Sequence, residues 1–502
     1  MASIRIDSPD VRDLVESIAG YFESLGISGW ATGGFVRDML LDVPVHDVDI
    51  TVAGDPLTLG PVLAEILGGT FFPLREERGH ARILLADRRL HVDLMPLRAL
   101  DIEANLRLRD YTIDALAASL FELSRGEAQI VDPTGGLADL YARIVRMTGE
   151  QQLRDDPLRL LRGPRIATRL SFELEAATAE AIRRNATLAT TVAAERQRDE
   201  IVRIFSTEHS EAGVRLLDEL GLFTFLFPEM EPTRDVEQPS NHHEFDVLGH
   251  SFAAVGALDM LLSEERPGVS PEREIWGELW DGLAWCNGIR EYFRDETSVG
   301  TTRSAVLKFC GLLHDIAKPQ TKTIDKDGRM RFFGHSDLGT EMATRLMQRL
   351  RFPTREISLV AAMIHAHLRP LQLAQQGPPS KRAIYRFFRD TKGAGIDTLF
   401  LAMADHLGSV GPRVSVEGFR AHIALTAYIL HVRFAEERVI SPPRLIDGED
   451  VMAALGVEQS EVIGDLLEAV REAQAGGEVV TKEQALAFAR AKLAESTVAG
   501  RE

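Results

Sequence analysis

The first 25 residues carry apolar side chains at helical spacing. Leu14, Ile18, Phe22 and Leu25 recur every three or four residues, which is the pattern of a helix with one buried face. Gly26 follows the last of them and predicts the end of the helix. The sequence therefore predicts an N-terminal helix that packs on the segment after it.

Short apolar runs typical of β-strands follow this helix. Residues 49–52, 81–85 and 91–94 are such runs, and the apolar spacing of residues 57–67 between them is helical. Strands mixed with helices in this way indicate an α/β or α+β domain. The turn-forming residues 132–136 predict where that domain ends.

The chain beyond Gly136 has helical spacing almost throughout. Proline-bearing stretches interrupt it at 228–239 and 442–443, and the amphipathic run 461–472 is typical of a packing helix. Residues 263–300 are rich in charge and glycine, so we interpret them as an insertion. No apolar stretch is long enough to span a bilayer, and we expect no membrane partner.

Length, cysteine usage and charge narrow the class of protein. A chain of 502 residues is long enough for about three to four domains. Cys286 and Cys310 are too few for a disulfide framework, and residues 1–7 lack the features of a signal peptide, so we expect a cytoplasmic protein. The formal net charge of −19 argues against nonspecific coating of nucleic acid but leaves room for a local basic groove.

Two aspartates form the first candidate site. If Val48 faces the core, strand alternation puts Asp47 and Asp49 together on the opposite face. Adjacent carboxylates repel each other, and the usual remedy is a hard divalent cation, typically Mg²⁺, which also binds phosphates. Asp93 offers a third carboxylate inside an apolar strand, where a charge needs a partner.

The glycines Gly33 and Gly34 precede a predicted helix that begins near Phe35. Backbone N–H groups at such a turn can approach a triphosphate closely, and Arg37 follows on the first turn. A glycine pair or an Asp-x-Asp pair is common by itself. The joint spacing of the glycines, the aspartate pair and the later carboxylate is much more specific.

Residues 33–41 and 47–49 resemble the signature of the class II tRNA nucleotidyltransferase and bacterial poly(A) polymerase family. Four further segments resemble later motifs of that family in the same order. They are 109–115 for the ribose-reading motif, 132–140 for the hinge, 155–162 for the base-reading helix and 195–200 for the last motif.

The resemblance implies an α+β fold, with a polymerase-β-like α/β head followed by mainly helical domains. It implies four domains: a catalytic head at 1–140, a nucleotide-selecting and RNA-binding helical domain at 141–235, a metal-binding helical domain at 236–415 and a helical tail at 416–502. It also implies template-independent addition of CMP or AMP, from CTP or ATP, to the 3′ end of tRNA or another RNA. We infer no obligatory protein partner.

The resemblance also assigns roles to residues. Asp47, Asp49 and Asp93 would be catalytic, with Mg²⁺ on the first two. The nucleotide would be bound by Gly33, Gly34, Arg37, Arg109, Asp110, Asp156, Arg159 and Arg162, and RNA by Arg165, Arg169 and Arg196. Asp110 would accept a hydrogen bond from the ribose 2′-OH.

Asp156 and Arg159 would read the base edge in place of a template. Asp156 stands before Pro157, which fits a helix N-cap followed by the first helical residue. Arg159 is one turn later on the same face. Without the resemblance, these residues and the arginines after them would be interpreted as a solvated arginine stripe.

Three features depart from the family pattern. Leu108 stands where the family usually has an arginine, and Asp114 stands where it usually has asparagine. Only residues 99–108 separate Arg98 from Arg109, where the family usually carries a longer flexible loop. In that family a short connection accompanies the addition of C residues without the terminal A, so we predict a CC-adding enzyme.

Histidines form the second candidate site. Eight of the fourteen lie between residues 242 and 406. His314 and Asp315 are adjacent in an apolar helix, so both can reach one metal ion. Together with His250 and Asp405 they resemble the His … His-Asp … Asp pattern of the HD phosphohydrolase superfamily.

The predicted metal ligands of this domain are His250, His314, Asp315, His335, His365 and Asp405. A second ion would be held by His335 with His365 or His367. Imidazole favours transition metals and carboxylates broaden the choice, so Mg²⁺ or a transition metal is expected and its identity stays open. The expected activity is that of a phosphatase or cyclic phosphodiesterase.

Other functions remain open at this point. The first is a poly(A) polymerase, and the second is an HD phosphohydrolase whose N-terminal domain only binds RNA. A third is a noncatalytic RNA-binding protein. A vestigial helical domain could also keep its histidines as hydrogen-bonded core residues.

Overall fold

The computed structural model describes residues 2–86, 90–239, 245–263, 277, 288–375, 377–410 and 416–499. His242, His243 and most of the predicted insertion lie outside these residues. The chain divides into two compact units, Met1–Val192 with Leu216–Leu226 and Ala193–Arg215 with Phe227–Glu502. The four domains predicted from the sequence are a finer division, and their boundaries stay a prediction.

An eight-stranded mixed sheet is the framework of the first unit. The strand order is β1-β8-β7-β2-β3-β6-β5-β4. The strands are β1 Ser3–Ile4, β2 Gly29–Thr32, β3 Asp47–Val52, β4 Thr70–Arg75, β5 His80–Leu84, β6 His91–Pro96, β7 Ala117–Ser119 and β8 Ala128–Val131. A two-stranded pair follows, made of β9 Ile144–Val145 and β10 Glu173–Leu174.

Strand alternation determines the two faces of this sheet. The alternate residues Val48, Ile50 and Val52 of β3 are fully buried in the apolar core. Strand β6 runs parallel to β3, with Asp49 paired to Asp93. The carboxylates of both strands therefore lie on the face away from the apolar core.

Helix α1 packs on the core as its apolar spacing predicts. It covers Pro9–Ser24 and buries Leu14, Ile18 and Phe22. The chain turns at Gly26, whose φ is +65°. The later helices of this unit up to residue 192 are α2 Gly34–Leu40, α3 Pro56–Ile66, α4 Ile102–Leu106, α5 Leu120–Leu123, α6 Gly136–Ala142, α7 Glu150–Asp155, α8 Arg159–Leu170 and α9 Ala176–Asn185.

The chain after residue 192 is mainly helical. Its helices are α10 Ala194–Phe205, α11 Ser210–Glu219, α12 Phe223–Leu226, α13 Val247–Leu262, α14 Ile289–Arg294, α15 Arg303–Leu313, α16 Lys318–Thr321, α17 His335–Arg349, α18 Thr354–Ala366, α19 Arg369–Leu373, α20 Lys381–Asp390, α21 Gly395–Val410, α22 Val416–Ala435, α23 Glu437–Ile440, α24 Gly448–Leu455, α25 Glu461–Ala475 and α26 Lys482–Ala499. Short strands are β11 Glu296–Ser298, β12 Thr301–Thr302, β13 Thr323–Ile324 and β14 Met330–Arg331. Across the described residues of both units, short 3₁₀ helices lie at Glu76–Arg78, Thr112–Asp114, Ala186–Thr191 and Glu231–Thr233.

The second unit has an aromatic centre and a separate C-terminal cluster. The ring of Phe309 stacks on Phe352, with centroids 5.1 Å apart. The predicted amphipathic run is helix α25, which buries Ile463, Leu466 and Val470 against α24 and α26. Within the described part of the chain, none of the helices combines the length and apolar character needed to cross a membrane.

Candidate active site

The turn at Gly33 and Gly34 joins β2 to α2. Gly33 has φ +67°. A Cβ atom there would lie 2.6 Å from Nη1 of Arg109, and one at Gly34 would lie 3.4 Å from Oδ2 of Asp49. Glycine is needed at Gly33 because a side chain would clash and the backbone conformation favours glycine. The turn thus brings the main chain close to the carboxylate of Asp49.

Asp49 is the central carboxylate of this site. Burial raises its pKa, the negative charges of Asp93 and Asp47 raise it further, and Arg109 opposes them, with a result of about 7. Asp47 is exposed and contacts Nε2 of His91. Crowded oxygen ligands whose ionisation is unfavourable fit a hard divalent cation such as Mg²⁺. The ion itself is not identified by these residues.

Asp93 is held by an arginine that the sequence analysis missed. Nε and Nη2 of Arg82 lie 2.6 and 2.7 Å from the two carboxylate oxygens of Asp93. The two residues are direct partners in the antiparallel strands β5 and β6. The alternation of the run 81–85 is the signal that could have placed Arg82 on the carboxylate face.

Arg109 lies beneath the glycine turn. Its Nη2 donates hydrogen bonds to Oγ1 of Thr32 at 2.8 Å and to Oγ1 of Thr51 at 3.3 Å. Burial lowers the pKa of Arg109, and the charges of Asp49, Asp110 and Asp114 oppose that effect. The residue predicted to bind nucleotide is therefore next to Asp49 and already oriented by two hydroxyls.

Arg37 is buried beside the glycine turn. Only 4% of its surface is exposed. Its Nε donates to Oδ1 of Asp38 at 2.7 Å and its Nη1 to Oδ1 of Asp114 at 2.5 Å. The nucleotide contact of Arg37 stays a prediction, and in this structure the guanidinium is buried between two carboxylates.

Arg162 and Arg169 extend the same set of ion pairs. Nε of Arg162 lies 2.5 Å from Oδ2 of Asp110, and its Nη2 lies 3.4 Å from Oδ2 of Asp114. Nη2 of Arg169 lies 2.8 Å from Oδ2 of Asp38. We call the six residues the arginine–aspartate ladder, in the order Arg169, Asp38, Arg37, Asp114, Arg162 and Asp110.

The ladder sets the charge of Asp110. Burial pushes its pKa up, but the charges of Arg162 and Arg159 and the hydrogen bond from Arg162 outweigh burial and lower the pKa to about 2. Asp110 is therefore an ionised acceptor, as reading a ribose hydroxyl would require. Arg165 is buried and Arg196 is partly exposed, and the RNA contacts of both stay predictions.

Asp156, one of the two predicted base readers, is not the N-cap of helix α8 as the sequence predicts. Helix α8 begins at Arg159, with Leu158 rather than Asp156 as its N-cap, because residues 156–158 form a turn. The Asp156 carboxylate lies 3.6 Å from Nη1 of Arg78. Nη1 of Arg159 donates to the carbonyl oxygens of Leu108 and Gln152, at 3.2 and 3.1 Å.

A cluster of imidazoles and carboxylates lies inside the second unit. His250 of α13, His314 and Asp315 after α15, and Asp405 of α21 place one ligand atom each within 4.8 Å of one another. Nε2 of His250 is 3.1 Å from Nε2 of His314 and 3.2 Å from Oδ1 of Asp405. The predicted His … His-Asp … Asp set is therefore brought together.

A second group shares Asp315 with the first. It consists of Asp315, His335 and His367, and the Nε2 atoms of the two histidines are 3.3 Å apart. His365 is corrected: it is 66% exposed in its side chain and contacts Asp337 at 3.0 Å. Two residues along a helix turn the side chain by about 200°, so His365 faces away from His367.

His367 was a possible ligand, and the apolar spacing of α18 could have selected it. Leu359, Val360, Met363 and Ile364 are buried, and continuing their three- and four-residue spacing leads to His367 rather than His365. Lys318 was missed altogether. Its Nζ lies 2.6 Å from Oδ2 of Asp315 and 2.6 Å from Oε1 of Gln238.

Main-chain carbonyls orient three of these imidazoles. Nδ1 of His314 lies 2.8 Å from the oxygen of Gly311, Nδ1 of His335 lies 2.7 Å from that of Phe332, and Nδ1 of His367 lies 2.6 Å from that of Ile364. A carbonyl at Nδ1 selects the tautomer whose Nε2 lone pair can bind a metal. The donor set fits one or two divalent ions, without fixing their identity.

The charges of this cluster are strongly coupled. Burial would lower the pKa of His314, but the charge of Asp315 and hydrogen bonds to Asp315 and Asp405 raise it to about 10. Burial and the charge of His314 lower the pKa of His367 to about 4. His314 is thus protonated and His367 neutral at pH 7 when no ion is bound.

Three family models match the chain. The poly(A) polymerase head domain matches residues 29–146, and the probable RNA and SrmB-binding site of polymerase A matches residues 171–233. The HD domain matches residues 287–407. His250 lies upstream of that last match, although its ring contacts His314.

The chain is 33% identical over 471 residues to the A-adding tRNA nucleotidyltransferase of Deinococcus radiodurans, covering 93% of this chain and 95% of the relative. This chain belongs to the tRNA nucleotidyltransferase family. It is also 31% identical to the CC-adding tRNA nucleotidyltransferase of Thermus thermophilus, over 91% of this chain and 92% of the relative. The family resemblance seen in the sequence is thereby confirmed.

Solved structures of CCA-adding enzymes share the fold of this tRNA nucleotidyltransferase family member. One apo form has a TM-score of 0.59 at 19% identity, covering 96% of this chain and 94% of that one. A Thermotoga maritima CCA-adding enzyme complexed with tRNA has a TM-score of 0.56 at 18% identity and covers 97% of each chain. The predicted fold class, an α/β head followed by helical domains with an HD domain, is confirmed.

Proposed function

We propose that this chain adds CMP, AMP or both to the 3′ end of tRNA, from CTP and ATP and without a nucleic-acid template. The observation that carries the proposal is the pair Asp47 and Asp49 beside Asp93, on one sheet face below the glycine turn. Relatives that align over more than nine-tenths of the chain are named as tRNA nucleotidyltransferases, which supports tRNA as the acceptor.

The side chains around Asp49 would divide the work of the transfer. Asp47 and Asp49 would hold a divalent cation, which supplies Lewis acidity to the phosphate and lowers the pKa of an attacking hydroxyl when bound. The main chain at Gly33 and Gly34 leaves space for phosphate oxygens to approach. Arg109 adds positive charge at the same place, oriented by its two threonines.

Selection of the nucleotide would occur on the side of α8. Asp110 is ionised and would accept a hydrogen bond from the ribose 2′-OH. Asp156 and Arg159 carry an acceptor and donors for a base edge, and both would exchange their present contacts for the base. In this scheme Arg162 holds the carboxylate of Asp110 in place.

We also propose that the chain divides into four domains, with boundaries at residues 140, 235 and 415.

The number of added nucleotides depends on the connection before Arg109. That segment contains the short helix α4, whose N-terminus is capped by Asp101 through a 2.8 Å hydrogen bond to the amide of Ala104. The carbonyl of Leu108 at its end holds Arg159. The shortness of this connection, residues 99–108, supports CC addition, while the A-adding name of the Deinococcus radiodurans relative supports addition of the terminal A.

The decisive experiment uses tRNA transcripts that end at each possible 3′ truncation point. Each is incubated with Mg²⁺ and labelled CTP or ATP, and the products are sequenced. CC addition predicts growth by two C residues and no terminal A. Efficient addition of A to a transcript ending in CC would overturn the CC assignment, and long A tails would favour a poly(A) polymerase. If the wild type incorporates no nucleotide, the remaining functions are RNA binding without catalysis and phosphohydrolysis.

We propose a second activity, metal-dependent phosphohydrolysis at the histidine cluster. The shared carboxylate of Asp315 between two imidazole groups supports it, and Lys318 beside Asp315 offers a cation for a phosphate. The test is hydrolysis of phosphate monoesters and 2′,3′-cyclic nucleotides by metal-loaded protein. Asp315→Ala should abolish hydrolysis and leave nucleotide addition intact, whereas loss of both activities contradicts two independent sites.

A further inference from the structure

We propose that Asp114 is a positioning residue for ribose selection, acting through Arg162 on Asp110. The inference rests on the proposed function, because it concerns how that reaction would select ribonucleotides. Asp114 stands where the resembled motif usually has a neutral asparagine, so its charge is a property of this chain. It does not touch the nucleotide in this scheme.

The first step of the argument is the position of Asp114 in the arginine–aspartate ladder. Its Oδ1 accepts from Nη1 of Arg37 at 2.5 Å, and its Oδ2 lies 3.4 Å from Nη2 of Arg162. The side chain is 5% exposed. A buried carboxylate is costly unless it is paired, so the two arginines compensate the additional charge that the sequence places there.

The second step is the division of the Arg162 guanidinium between two carboxylates. Its Nε binds Asp110 and its Nη2 points to Asp114. A planar guanidinium whose two edges both face carboxylates is held more firmly in one orientation than a guanidinium with one such contact fewer. Asp114 therefore helps to set the orientation in which Arg162 meets Asp110.

The third step is the orientation of Asp110 itself. Its Oδ1 accepts from the amide of Tyr111 at 3.1 Å, and its Oδ2 accepts from Nε of Arg162 at 2.5 Å. Each carboxylate oxygen has a second lone pair that could accept a ribose hydroxyl. The direction of that lone pair is set by Tyr111 and Arg162, and hence in part by Asp114.

The other end of the ladder holds Arg37 in place. Arg37 is bound by Asp38, and Asp38 is bound in turn by Arg169 at 2.8 Å. In an Asp114→Asn variant the amide is isosteric, but the negative charge between Arg37 and Arg162 is lost. Two guanidinium groups then face a neutral side chain, and Arg162 loses its ion pair with Asp114.

The experiment compares CTP with 2′-deoxyCTP, and ATP with 2′-deoxyATP, on truncated tRNA. The measured quantity is the ratio of kcat/KM for the ribonucleotide to that for the deoxynucleotide. Asp114→Asn should lower this ratio about tenfold, as expected when a charged hydrogen bond loses its orientation. Arg162→Lys keeps the charge but lacks the fork, and it should lower the ratio as well.

The matched control is Asp397→Asn. Asp397 is a buried aspartate of the second unit that accepts from Nε of Arg303 at 3.0 Å and from the hydroxyl of Tyr292 at 2.6 Å. It should lower the melting temperature without changing the ratio. An unchanged ratio in Asp114→Asn, or an equal change in the control, overturns the proposal.

A double variant and a binding measurement complete the test. If Asp114 acts through Arg162, adding Asp114→Asn to Arg162→Lys should lower the ratio no further, and additive losses contradict that route. The thermal shift with CTP against 2′-deoxyCTP needs no transfer. If the wild type binds ribonucleotides selectively but transfers none of them, the proposed reaction is wrong. If that binding selectivity still depends on Asp114, the role proposed here for Asp114 is supported.

Discussion

Asp49 and Asp93 are direct partners in the parallel strands β3 and β6, so two carboxylates stand side by side on one face of the sheet. Arg82 binds both oxygens of Asp93 and leaves Asp49 without an equivalent partner in its own strand pair. The unfavourable charge is therefore concentrated on Asp49, whose pKa rises to about 7. The raised pKa of Asp49 therefore makes stability and Mg²⁺ binding depend on pH, which can be measured.

The first prediction is that metal-free protein loses stability as the pH rises. The folded state binds the Asp49 proton more tightly than the unfolded state, where the pKa is 3.8. Its contribution is therefore lost as the pH rises from about 4 through 7. Melting in EDTA between pH 5 and 8 should show a steeper decline for wild type than for Asp49→Asn.

Magnesium should restore that loss only in the wild type. Asp49→Asn should also transfer nucleotide at least ~100-fold more slowly, since a ligand of the metal is removed. The exposed aspartate Asp13 of α1 provides the control, and Asp13→Asn should behave as wild type in both measurements. A variant at Asp49 that keeps both the Mg²⁺-induced shift and the activity would contradict the assignment.

The second prediction concerns the glycine turn. Gly33→Ala should cost about 1–3 kcal/mol of unfolding free energy, because φ is +67° and the new Cβ would meet Nη1 of Arg109 at 2.6 Å. Gly26 has a similar φ of +65° with no atom within 4 Å of its Cβ position. Gly26→Ala should therefore cost only about 1 kcal/mol.

The two alanine variants should differ in activity as well. Gly33→Ala displaces Arg109 and should impair nucleotide transfer, whereas Gly26→Ala should leave transfer at the wild-type level. Chemical denaturation and incorporation assays on the same preparations measure both effects. Equal behaviour of the two variants would mean that backbone conformation alone, and not the approach to Arg109, explains the glycine.

How much of this site the sequence could predict depends on the range of the contacts. Strand alternation was enough for the carboxylate face, because the residues concerned are neighbours in one strand. The pairing of Arg37 with Asp114 could not be predicted, because the two residues are 77 positions apart and no local pattern reports such a pairing. His365 was misassigned although local information was sufficient. The spacing of the buried apolar residues of α18 leads to His367 and not to His365, but the prediction considered only the order of the possible ligands along the chain.

The third prediction tests the attachment of the C-terminal helices. Glu472 of α25 accepts from Nη2 of Arg386 at 2.5 Å and from Nη1 of Arg389 at 2.7 Å. The hydrogen bond from Arg386 and then that from Arg389 lower its pKa to about 2, against the effect of burial. Glu472→Gln should cost about 1–3 kcal/mol at pH 7, as expected for hydrogen bonds to a charged group.

The pH dependence of that cost has a definite sign. The folded pKa is below the unfolded value of 4.5, so the contribution is present above pH 4.5 and disappears as the pH falls toward 2. Urea unfolding of wild type and Glu472→Gln should converge in that range. Glu461→Gln, at an exposed position of the same helix, should have no comparable effect at either pH.

The fourth prediction uses two histidines of one helix as a matched pair. His367 shares a group with Asp315 and His335, whereas His365 is exposed and paired with Asp337. His367→Ala should lower the amount of bound metal measured by elemental analysis after dialysis against Zn²⁺ or Mn²⁺. His365→Ala should retain the wild-type amount, and equal losses from the two variants would contradict the observed helix phase.

Metal binding at this cluster should also release a proton. His314 has a pKa of about 10 in the metal-free protein, so it is protonated at pH 7.5 and must lose that proton to become a ligand. His367, with a pKa of about 4, is already neutral and adds none. Titration calorimetry in two buffers of different ionisation enthalpy should therefore give about one released proton per protein. The apparent affinity should rise with pH between 7 and 9, and an affinity independent of pH would rule out His314 as a ligand.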